Sequence, residues 1–253
     1  MGDGDNRGHL PAVAVAQRKP DRETSAIVMV VTEIFKSIQG EGTRAGLPCI
    51  FVRLTGCNLR CVWCDTTYAF HGGTKYTVDD VLAQVQSLAG KGERRISLVE
   101  ITGGEPLLQP ETPELAQKLL AAGYIVMIET SGERYVGVLP REVIKIVDVK
   151  CPDSGEADTF DLANLDAVDR KDEIKFVIAS RRDYDFARQF TERHGLAKRV
   201  HQVLFSPAFE DPEGRWPGLN PRELVEWILA DGLPVRLGLQ LHKFVWDPAT
   251  KGV

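Results

Sequence analysis

The sequence predicts an α/β fold with a mostly parallel sheet, of the kind that forms (β/α) barrels. Two observations predict it: apolar runs of strand length alternate with amphipathic segments from residue 27 onward, and polar clusters follow several of these runs. Buried parallel strands are near-continuous apolar runs, and barrels gather their chemistry at the carboxyl ends of the strands. A partial barrel or an open doubly wound sheet fits the same alternation, although no Gly-x-Gly-x-x-Gly motif of a dinucleotide-binding sheet follows the first run.

Eight apolar runs, rich in Val, Ile, Leu and Phe, are the predicted strands. They are Ile27–Ile34, Cys49–Leu54, Ile96–Thr102, Tyr124–Glu129, Ile144–Lys150, Glu173–Ile178, Val200–Phe205 and Pro234–Leu241. The predicted helices are Val78–Leu88, Pro113–Ala122, Arg182–His194 and Pro221–Ala230. Gly123 and Gly195 stand where the second and third helices should end, because glycine readily adopts the left-handed conformation of a helix C-cap. Asn220 and Pro221 are a start signal for the fourth, a capping side chain followed by a first-turn proline.

Length and composition favour one domain in a chain of 253 residues with a net charge of -5. Residues 1–26 are polar and show no periodicity, so we expect a disordered extension followed by a single folded domain over residues 27–253. The chain has no apolar run of about 18 residues that would predict a membrane span. Its acidic balance disfavours a nucleic-acid-binding surface. No secretory signal is recognisable, and a cytoplasmic location with reduced thiols is expected.

Three cysteines, Cys57, Cys61 and Cys64, lie on a short glycine-led loop after the second predicted strand. Thiolates bind soft metals and iron–sulfur clusters. Structural zinc sites need four protein ligands, whereas three cysteines leave one iron of a [4Fe–4S] cluster free to bind a substrate or a cofactor. The spacing therefore favours a cluster with one open iron.

Two other uses of these thiols stay open from the residues alone. His71 could be the fourth ligand of a zinc site, although structural zinc sites usually bring paired ligands. A disulfide with one spare thiol is disfavoured in a chain without a secretory signal. The remaining cysteines, Cys49 and Cys151, are predicted to be core or loop thiols.

The cysteine spacing resembles the radical S-adenosylmethionine (SAM) superfamily, in which the open iron holds the methionine part of the cofactor. The run Thr102-Gly103-Gly104-Glu105 resembles the segment that binds the methionine amino group, since glycines allow close approach and a carboxylate accepts N–H bonds. An ordinary strand-to-helix turn is the alternative for this run, and a core residue is the alternative for the aromatic Trp63. The resemblance implies a SAM site formed by Trp63, Cys64, Asp65, Gly103, Gly104, Glu105, Thr130, Ser131 and Lys150. Ordinary turn chemistry is the alternative for Thr130, Ser131 and Lys150.

A longer resemblance covers residues 31–248. The run Glu33–Gly42, Arg53, the tripeptide Cys64-Asp65-Thr66 and the closing Leu239–Lys243 are similar to 7-carboxy-7-deazaguanine synthases. This resemblance implies an incomplete (β/α) barrel with a [4Fe–4S] cluster, SAM and Mg²⁺. It also implies a carbon–nitrogen lyase of queuosine and deazapurine biosynthesis, which converts 6-carboxy-5,6,7,8-tetrahydropterin to 7-carboxy-7-deazaguanine and ammonia.

The same resemblance implies a set of substrate-binding residues and a magnesium ligand. The substrate-binding residues are Ile38, Gln39, Gly40, Glu41, Arg53, Thr102 and Pro248. A carboxylate such as Glu41 can accept neighbouring N–H groups of a pterin, and Arg53 suits a carboxylate. Thr66 offers a hydroxyl oxygen to Mg²⁺, with substrate oxygens and waters as the other ligands. Family members can end close to the proline equivalent to Pro248, whereas Ala249–Val253 follow it here, and the resemblance does not extend to a role for the chain terminus.

As partners we expect the pterin, an electron donor such as a flavodoxin and a second copy of the chain in a homodimer. Neither a nucleic acid nor a membrane is an expected partner. Two other classes of protein compete with this interpretation. An activase that makes a glycyl radical on a protein partner shares the cysteine loop but has no need of Gln39, Glu41 and Arg53. A zinc-stabilised binding module would lack the brown colour of an iron–sulfur cluster.

Overall fold

The structure, a computed structural model, describes Met1, residues 28–211 and residues 213–253. The expected extension over residues 1–26 lies outside the described residues except for Met1, and so does Ile27, the first residue of the first predicted strand. In the described part of the chain, no helix combines the length and the apolar composition that a membrane crossing needs.

A single mixed sheet organises the described residues. Its strands are β1 (Val28–Ile38), β2 (Pro48–Leu54), β3 (Thr74–Thr77), β4 (Leu98–Gly103), β5 (Ile125–Thr130), β6 (Ile144–Asp148), β7 (Glu173–Ile178), β8 (Gln202–Pro207) and β9 (Arg236–Leu237). Their spatial order is β3-β1-β2-β4-β5-β6-β7-β8-β9. Neighbours from β2 to β9 are parallel, whereas β1 runs antiparallel to β2 and β3. Because β3 and β9 are edges within the described sheet, the expected incomplete barrel with mostly parallel strands is confirmed.

The four long helices match the predicted ones to within a residue or so at their ends. The helices are α1 (Val78–Ala89), α2 (Thr112–Ala121), α3 (Asn164–Ala167), α4 (Arg181–His194), α5 (Leu196–Arg199), α6 (Pro221–Asp231) and α7 (His242–Val245). Asn220 caps α6 by accepting the N–H of Arg222 at 2.9 Å. Gly195 ends α4 with a φ of 59°, in the left-handed region. These local signals therefore act as the sequence predicted.

The end of the chain differs from the expected element order. The predicted strand Pro234–Leu241 is reduced to Arg236–Leu237, which pair with β8. Beyond this pair the chain turns across the barrel, and Leu241 donates its N–H to the carbonyl oxygen of Gly40 at 2.8 Å. In this segment, contacts with the loop after β1 therefore replace the hydrogen bonds of a strand. The alternation of apolar residues in the sequence could not show this replacement. The short elements β3, α3, α5 and α7 were also not predicted.

Alternate residues of each strand point to opposite faces of the sheet. On the outer face, residues such as Ile101, Ile128 and Phe176 are fully buried in the main core that includes the helices. The inner face starts with a small apolar floor. This floor consists of Cys49, Phe51, Leu98, Met127, Ile144 and Ile146, with Phe35 packed against it. Towards the carboxyl ends of the strands, polar residues such as Thr102 and Lys175 replace these apolar ones, and this change defines where a ligand can bind.

Candidate active site

A cleft of about 420 Å³ opens at the carboxyl ends of the parallel strands. A volume of this size suits a small-molecule ligand or cofactor. The predicted site residues that line it are Ile38, Gln39, Gly40, Glu41, Arg53, Cys57, Cys61, Trp63, Cys64, Asp65, Thr66, Thr102, Gly103, Gly104, Thr130, Ser131, Lys150 and Pro248. The fold therefore brings together segments from both ends of the chain, and Glu105 is the predicted residue that does not line the cleft.

The cysteine loop follows β2 and borders this cleft. Cys57, Cys61 and Cys64 are free thiols, and burial raises their pKa, that of Cys61 to about 11. Thiols of this kind lose their protons when a metal binds. Among the described residues, no group of three or more His, Cys, Asp or Glu side chains is arranged to hold a single metal ion. A [4Fe–4S] cluster fits this donor set, because Cys57, Cys61 and Cys64 would supply three thiolate ligands and leave one position open.

Gly103 and Gly104, at the end of β4, pack against the start of the cysteine loop. A Cβ atom on Gly103 would collide with the backbone of Leu54, and one on Gly104 would collide with the carbonyl oxygen of Gly56. The N–H of Glu105 donates to this same carbonyl oxygen at 2.8 Å. The two glycines are therefore required by the close approach of β4 to the cysteine loop, which fixes one wall of the cleft.

The Glu105 side chain does not line the cleft, although the sequence places this residue at the methionine amino group. It is fully buried and accepts hydrogen bonds of 2.7–2.9 Å from the N–H of Leu107, the hydroxyl of Thr130, and both the N–H and the hydroxyl of Ser131. Four donors fill the acceptor sites of a carboxylate. Glu105 therefore holds the Thr130–Ser131 segment in place, a role that the Gly-Gly-Glu order alone cannot distinguish from ligand binding.

Asp148 and Lys150 form a pair at the end of β6. The Lys150 ammonium lies 2.7 Å from Oδ2 of Asp148. Burial would lower the pKa of Lys150, but the Asp148 carboxylate raises it above its ordinary value. Oδ1 of Asp148 is buried and has no hydrogen-bond partner among the described residues. Since buried acceptors are normally satisfied, this atom and Lys150 fit the hydroxyl and charged groups of SAM.

Gln39 and Glu41 follow β1 and line the cleft together. The Gln39 side-chain nitrogen donates to Glu100, and its oxygen accepts the N–H of Glu41 at 3.0 Å. Each carboxylate oxygen of Glu41 accepts one hydrogen bond, from Gln240 at 2.9 Å and from Lys175 at 3.0 Å. A carboxylate oxygen has two lone-pair sites, and Glu41 therefore retains acceptor capacity for two further N–H groups.

Arg53 lies in the cleft between two aromatic rings. Its guanidinium carbon is 5.7 Å from the centre of the Phe35 ring and 5.8 Å from that of Tyr68. Its Nε donates to Glu33 at 2.7 Å, and within the described residues its two terminal nitrogens make no hydrogen bond. Arg53 therefore keeps two donor nitrogens free for a ligand.

Thr66 and Asp65 provide oxygen atoms beside the cysteine loop. The Thr66 hydroxyl donates its hydrogen to Oδ1 of Asp65 at 2.9 Å, which leaves its lone pairs available to a cation. Lys243 lies 2.7 Å from Oδ2 of Asp65. Burial would raise the pKa of Asp65, but the Lys243 charge lowers it well below its ordinary value. An ionised carboxylate next to a hydroxyl oxygen fits Mg²⁺, which prefers hard oxygen ligands and retains several waters.

The predicted site lacks several charged residues of the cleft, among them the buried Glu100 on β4 and Lys175 on β7 and the half-buried Glu129 on β5. The Lys175 ammonium donates to Glu129 as well as to Glu41. Burial, with repulsion from Glu129, raises the pKa of Glu100 well above its ordinary value. One signal could have identified such residues. Glu100 interrupts an apolar strand two positions before Thr102, and alternate residues of a strand share a face.

Known proteins resemble this chain in sequence and in fold. The family described as the radical SAM superfamily matches residues 51–185. A 7-carboxy-7-deazaguanine synthase from Koribacter versatilis is 55% identical over 231 residues, which cover 89% of this chain and 100% of the relative. Another from Chlorobaculum tepidum is 40% identical over 226 residues, or 88% and 96% of the two chains. The crystal structure of QueE from Escherichia coli has a TM-score of 0.68 at 24% identity, over 85% of this chain and 95% of that one.

These comparisons agree with the resemblance seen in the sequence. The superfamily match spans more than half of the chain, and the Koribacter relative is matched over its whole length. The Escherichia coli structure, at lower identity, shows a shared fold. None of these matches supports the glycyl-radical activase. The chain therefore belongs to the radical SAM superfamily and, within it, to the family of 7-carboxy-7-deazaguanine synthases.

Proposed function

We propose that this chain converts 6-carboxy-5,6,7,8-tetrahydropterin to 7-carboxy-7-deazaguanine and ammonia. The observation that carries the proposal is a single cleft lined by the cysteine loop and by Gln39, Glu41 and Arg53. A carboxylate with free acceptor sites and a guanidinium with two free nitrogens match the N–H edge and the carboxylate of this pterin. Family membership makes the chain a radical SAM enzyme of the lyase class, which supports the same reaction.

In this proposal the side chains of the cleft hold the substrate in one orientation. Glu41 accepts the N–H groups of the pterin, and the Gln39 amide has one N–H and one lone pair left for the same ring. Arg53 binds the carboxylate through its two terminal nitrogens. Attachment at both ends of a small rigid molecule fixes its position beside Ile38 and Thr102, and such orientation removes much of the entropic barrier to reaction.

Cys57, Cys61 and Cys64 would hold the cluster, and Asp148 and Lys150 would contact SAM. When bound, the cluster and SAM would supply the radical chemistry, in which a hydrogen atom is taken from the substrate and later returned. The chain itself directs C6 of the pterin towards the SAM pocket and shields it from solvent. The substrate has the composition of the product plus one ammonia, so the conversion needs no net oxidant and SAM is regenerated.

We also propose Thr66 as the protein ligand of Mg²⁺, with substrate oxygens and waters completing the coordination. The cation would orient the substrate and neutralise its charge.

Further proposals rest on the family resemblance: a flavodoxin-like electron donor, a homodimer, a cytoplasmic location, and one folded domain over residues 27–253 after an extension over residues 1–26. Sedimentation of the cluster-loaded protein tests the dimer, and turnover with reduced flavodoxin tests the electron donor.

An anaerobic assay tests the proposed reaction. Cluster-reconstituted protein is mixed with the carboxylated tetrahydropterin, SAM, Mg²⁺ and a reductant, and the products are analysed by mass spectrometry. We expect 7-carboxy-7-deazaguanine and an equal amount of ammonia. Cleavage of SAM with the pterin left unchanged would contradict the proposal and return attention to an activase that acts on a protein.

A further inference from the structure

Lys175 is a buried lysine on the inner face of β7, with 5% of its surface exposed. Its ammonium donates to Oε2 of Glu41 at 3.0 Å and also to Oε1 of Glu129. The other oxygen of Glu41 accepts a hydrogen bond of 2.9 Å from Gln240. Glu41 is therefore held from two sides by elements that are distant in the chain, while both its oxygens retain a second acceptor site.

Several charged or titratable groups surround this pair. They are Arg44 from the turn after β1, Glu100 from β4, Glu129 from β5, Asp148 from β6, Glu173 from β7 and His242 from α7. Burial alone would raise the pKa of Glu41, but the Lys175 charge lowers it below its ordinary value. Without that charge, burial and the nearby carboxylates favour a protonated Glu41.

We infer that Lys175 is a positioning residue for substrate recognition, because its ammonium holds Glu41 in place as an ionised acceptor of two N–H bonds. This inference rests on the proposed function, in which Glu41 binds the N–H groups of the pterin. A protonated Glu41 presents an O–H donor to substrate groups that are themselves donors, and one of the two bonds is lost. In this inference Lys175 acts on recognition through Glu41, which its ammonium contacts.

The test measures the affinity of cluster-reconstituted protein for 6-carboxy-5,6,7,8-tetrahydropterin, anaerobically, from about pH 6.5 to about pH 8.5. This window lies above the pKa of His242, which burial lowers. The variants are Lys175→Met, which removes the charge, and Lys175→Arg, which keeps it. Lys145→Met is the matched control, because Lys145 is equally buried in an ion pair with Asp172 outside the cleft.

We expect the wild type, Lys145→Met and Lys175→Arg to bind with an affinity that stays constant across the window. Lys175→Met should bind the pterin roughly ten- to a hundredfold more weakly near neutral pH, which is the loss of affinity expected when one charge-assisted hydrogen bond is removed. Its affinity should recover as the pH rises, by at most about tenfold per unit, because one proton must leave Glu41.

Two results for Lys175→Met would overturn the inference: wild-type affinity, or an equal loss at every pH, which would indicate a packing role alone. If Lys175→Met does not fold, the pH dependence of binding by the wild type and by Lys175→Arg provides the test. An affinity that rises with pH in either protein would show that the cation does not keep Glu41 ionised. Failure of the proposed function is distinguishable, because the wild type itself would then not bind the pterin.

Discussion

Arg53 and Glu33 face each other directly across the antiparallel pair of β2 and β1, with Nε of Arg53 2.7 Å from Oε1 of Glu33. The Tyr68 hydroxyl donates to the same carboxylate oxygen at 2.7 Å. Because Glu33 uses Nε, the terminal nitrogens of Arg53 keep a fixed direction and stay free for a ligand. The ion pair therefore prepares Arg53 for a carboxylate before the substrate arrives.

Arg53→Lys should weaken binding of the carboxylated pterin by roughly ten- to a hundredfold, because a point charge cannot form the two parallel bonds. Binding of a tetrahydropterin that lacks the carboxylate should be unchanged. Titrating both ligands against the variant measures this difference. Arg95→Lys is the matched control, since Arg95 packs on Tyr124 outside the cleft. Equal losses for both ligands would show that Arg53 does not bind the carboxylate.

Replacing Cys57, Cys61 or Cys64 with Ala should abolish the cluster, because each supplies one of three protein ligands. Cys49→Ala and Cys151→Ala should retain about four irons per chain after reconstitution, since both thiols are buried in the core. Iron analysis and visible absorption measure this. Loss of the cluster from either core variant, with the fold intact, would overturn the assignment.

Thr66→Ala should lower turnover and remove its dependence on Mg²⁺, because the lost hydroxyl oxygen is the protein ligand of the cation. The cluster and SAM affinity should be unaffected. Turnover is measured while Mg²⁺ is varied, with Thr67→Ala, the neighbouring threonine, as control. A variant that still responds fully to Mg²⁺ would exclude Thr66 as the ligand.

Glu105→Gln should lower the free energy of unfolding by about 2–4 kcal/mol, because an amide cannot accept from all four buried donors and leaves at least one unsatisfied. SAM affinity should fall as well, since Thr130 and Ser131 lose their support. Denaturant unfolding measures the first effect, with Glu93→Gln on an exposed turn as the control. A change of less than about 0.5 kcal/mol, the range of surface substitutions, would contradict the buried role of Glu105.

Two carboxyls of the cleft, the buried Glu100 and the half-buried Glu129, should make the folded state less stable as the pH rises. The pKa values of Glu100 and Glu129 are raised, chiefly by burial, so folding takes up protons above their unfolded pKa of about 4.3. The contribution of these two groups to the free energy of unfolding is therefore complete below that pH. It decreases as the pH rises, by at most about 1.4 kcal/mol per pH unit for each proton. Glu100→Gln, which keeps an acceptor for the Gln39 amide, should show a shallower fall in unfolding experiments between about pH 5 and pH 8. A slope identical to that of the wild type would refute this proton uptake.

Much of the fold was predictable because its signals are local. Asn220, Pro221 and Gly195 mark helix ends through their own backbone preferences, and buried parallel strands are continuous apolar runs. The strand β3 (Thr74–Thr77) was missed, because this short edge strand is largely exposed and its polar residues carry no apolar pattern.

The site was predictable where it follows a motif. It was not predictable where it depends on pairs that are distant in sequence. Lys175 and Glu41 lie 134 positions apart, so nothing local shows that they meet. Glu105 is the opposite case, since its motif suggested a ligand, whereas four protein donors occupy its carboxylate. Periodicity places a residue on a face, and the tertiary fold decides which partner it finds there.

The most direct measurement compares the amount of 7-carboxy-7-deazaguanine formed with the amount of SAM consumed in the same anaerobic reaction. If the chain is a redox-neutral lyase that regenerates SAM, we expect many product molecules and an equal number of ammonia molecules for each SAM lost. Arg53→Lys should lower product formation more than it lowers slow SAM cleavage without substrate. Consumption of one SAM per product, or SAM cleavage with no deazaguanine formed, would contradict the central claim.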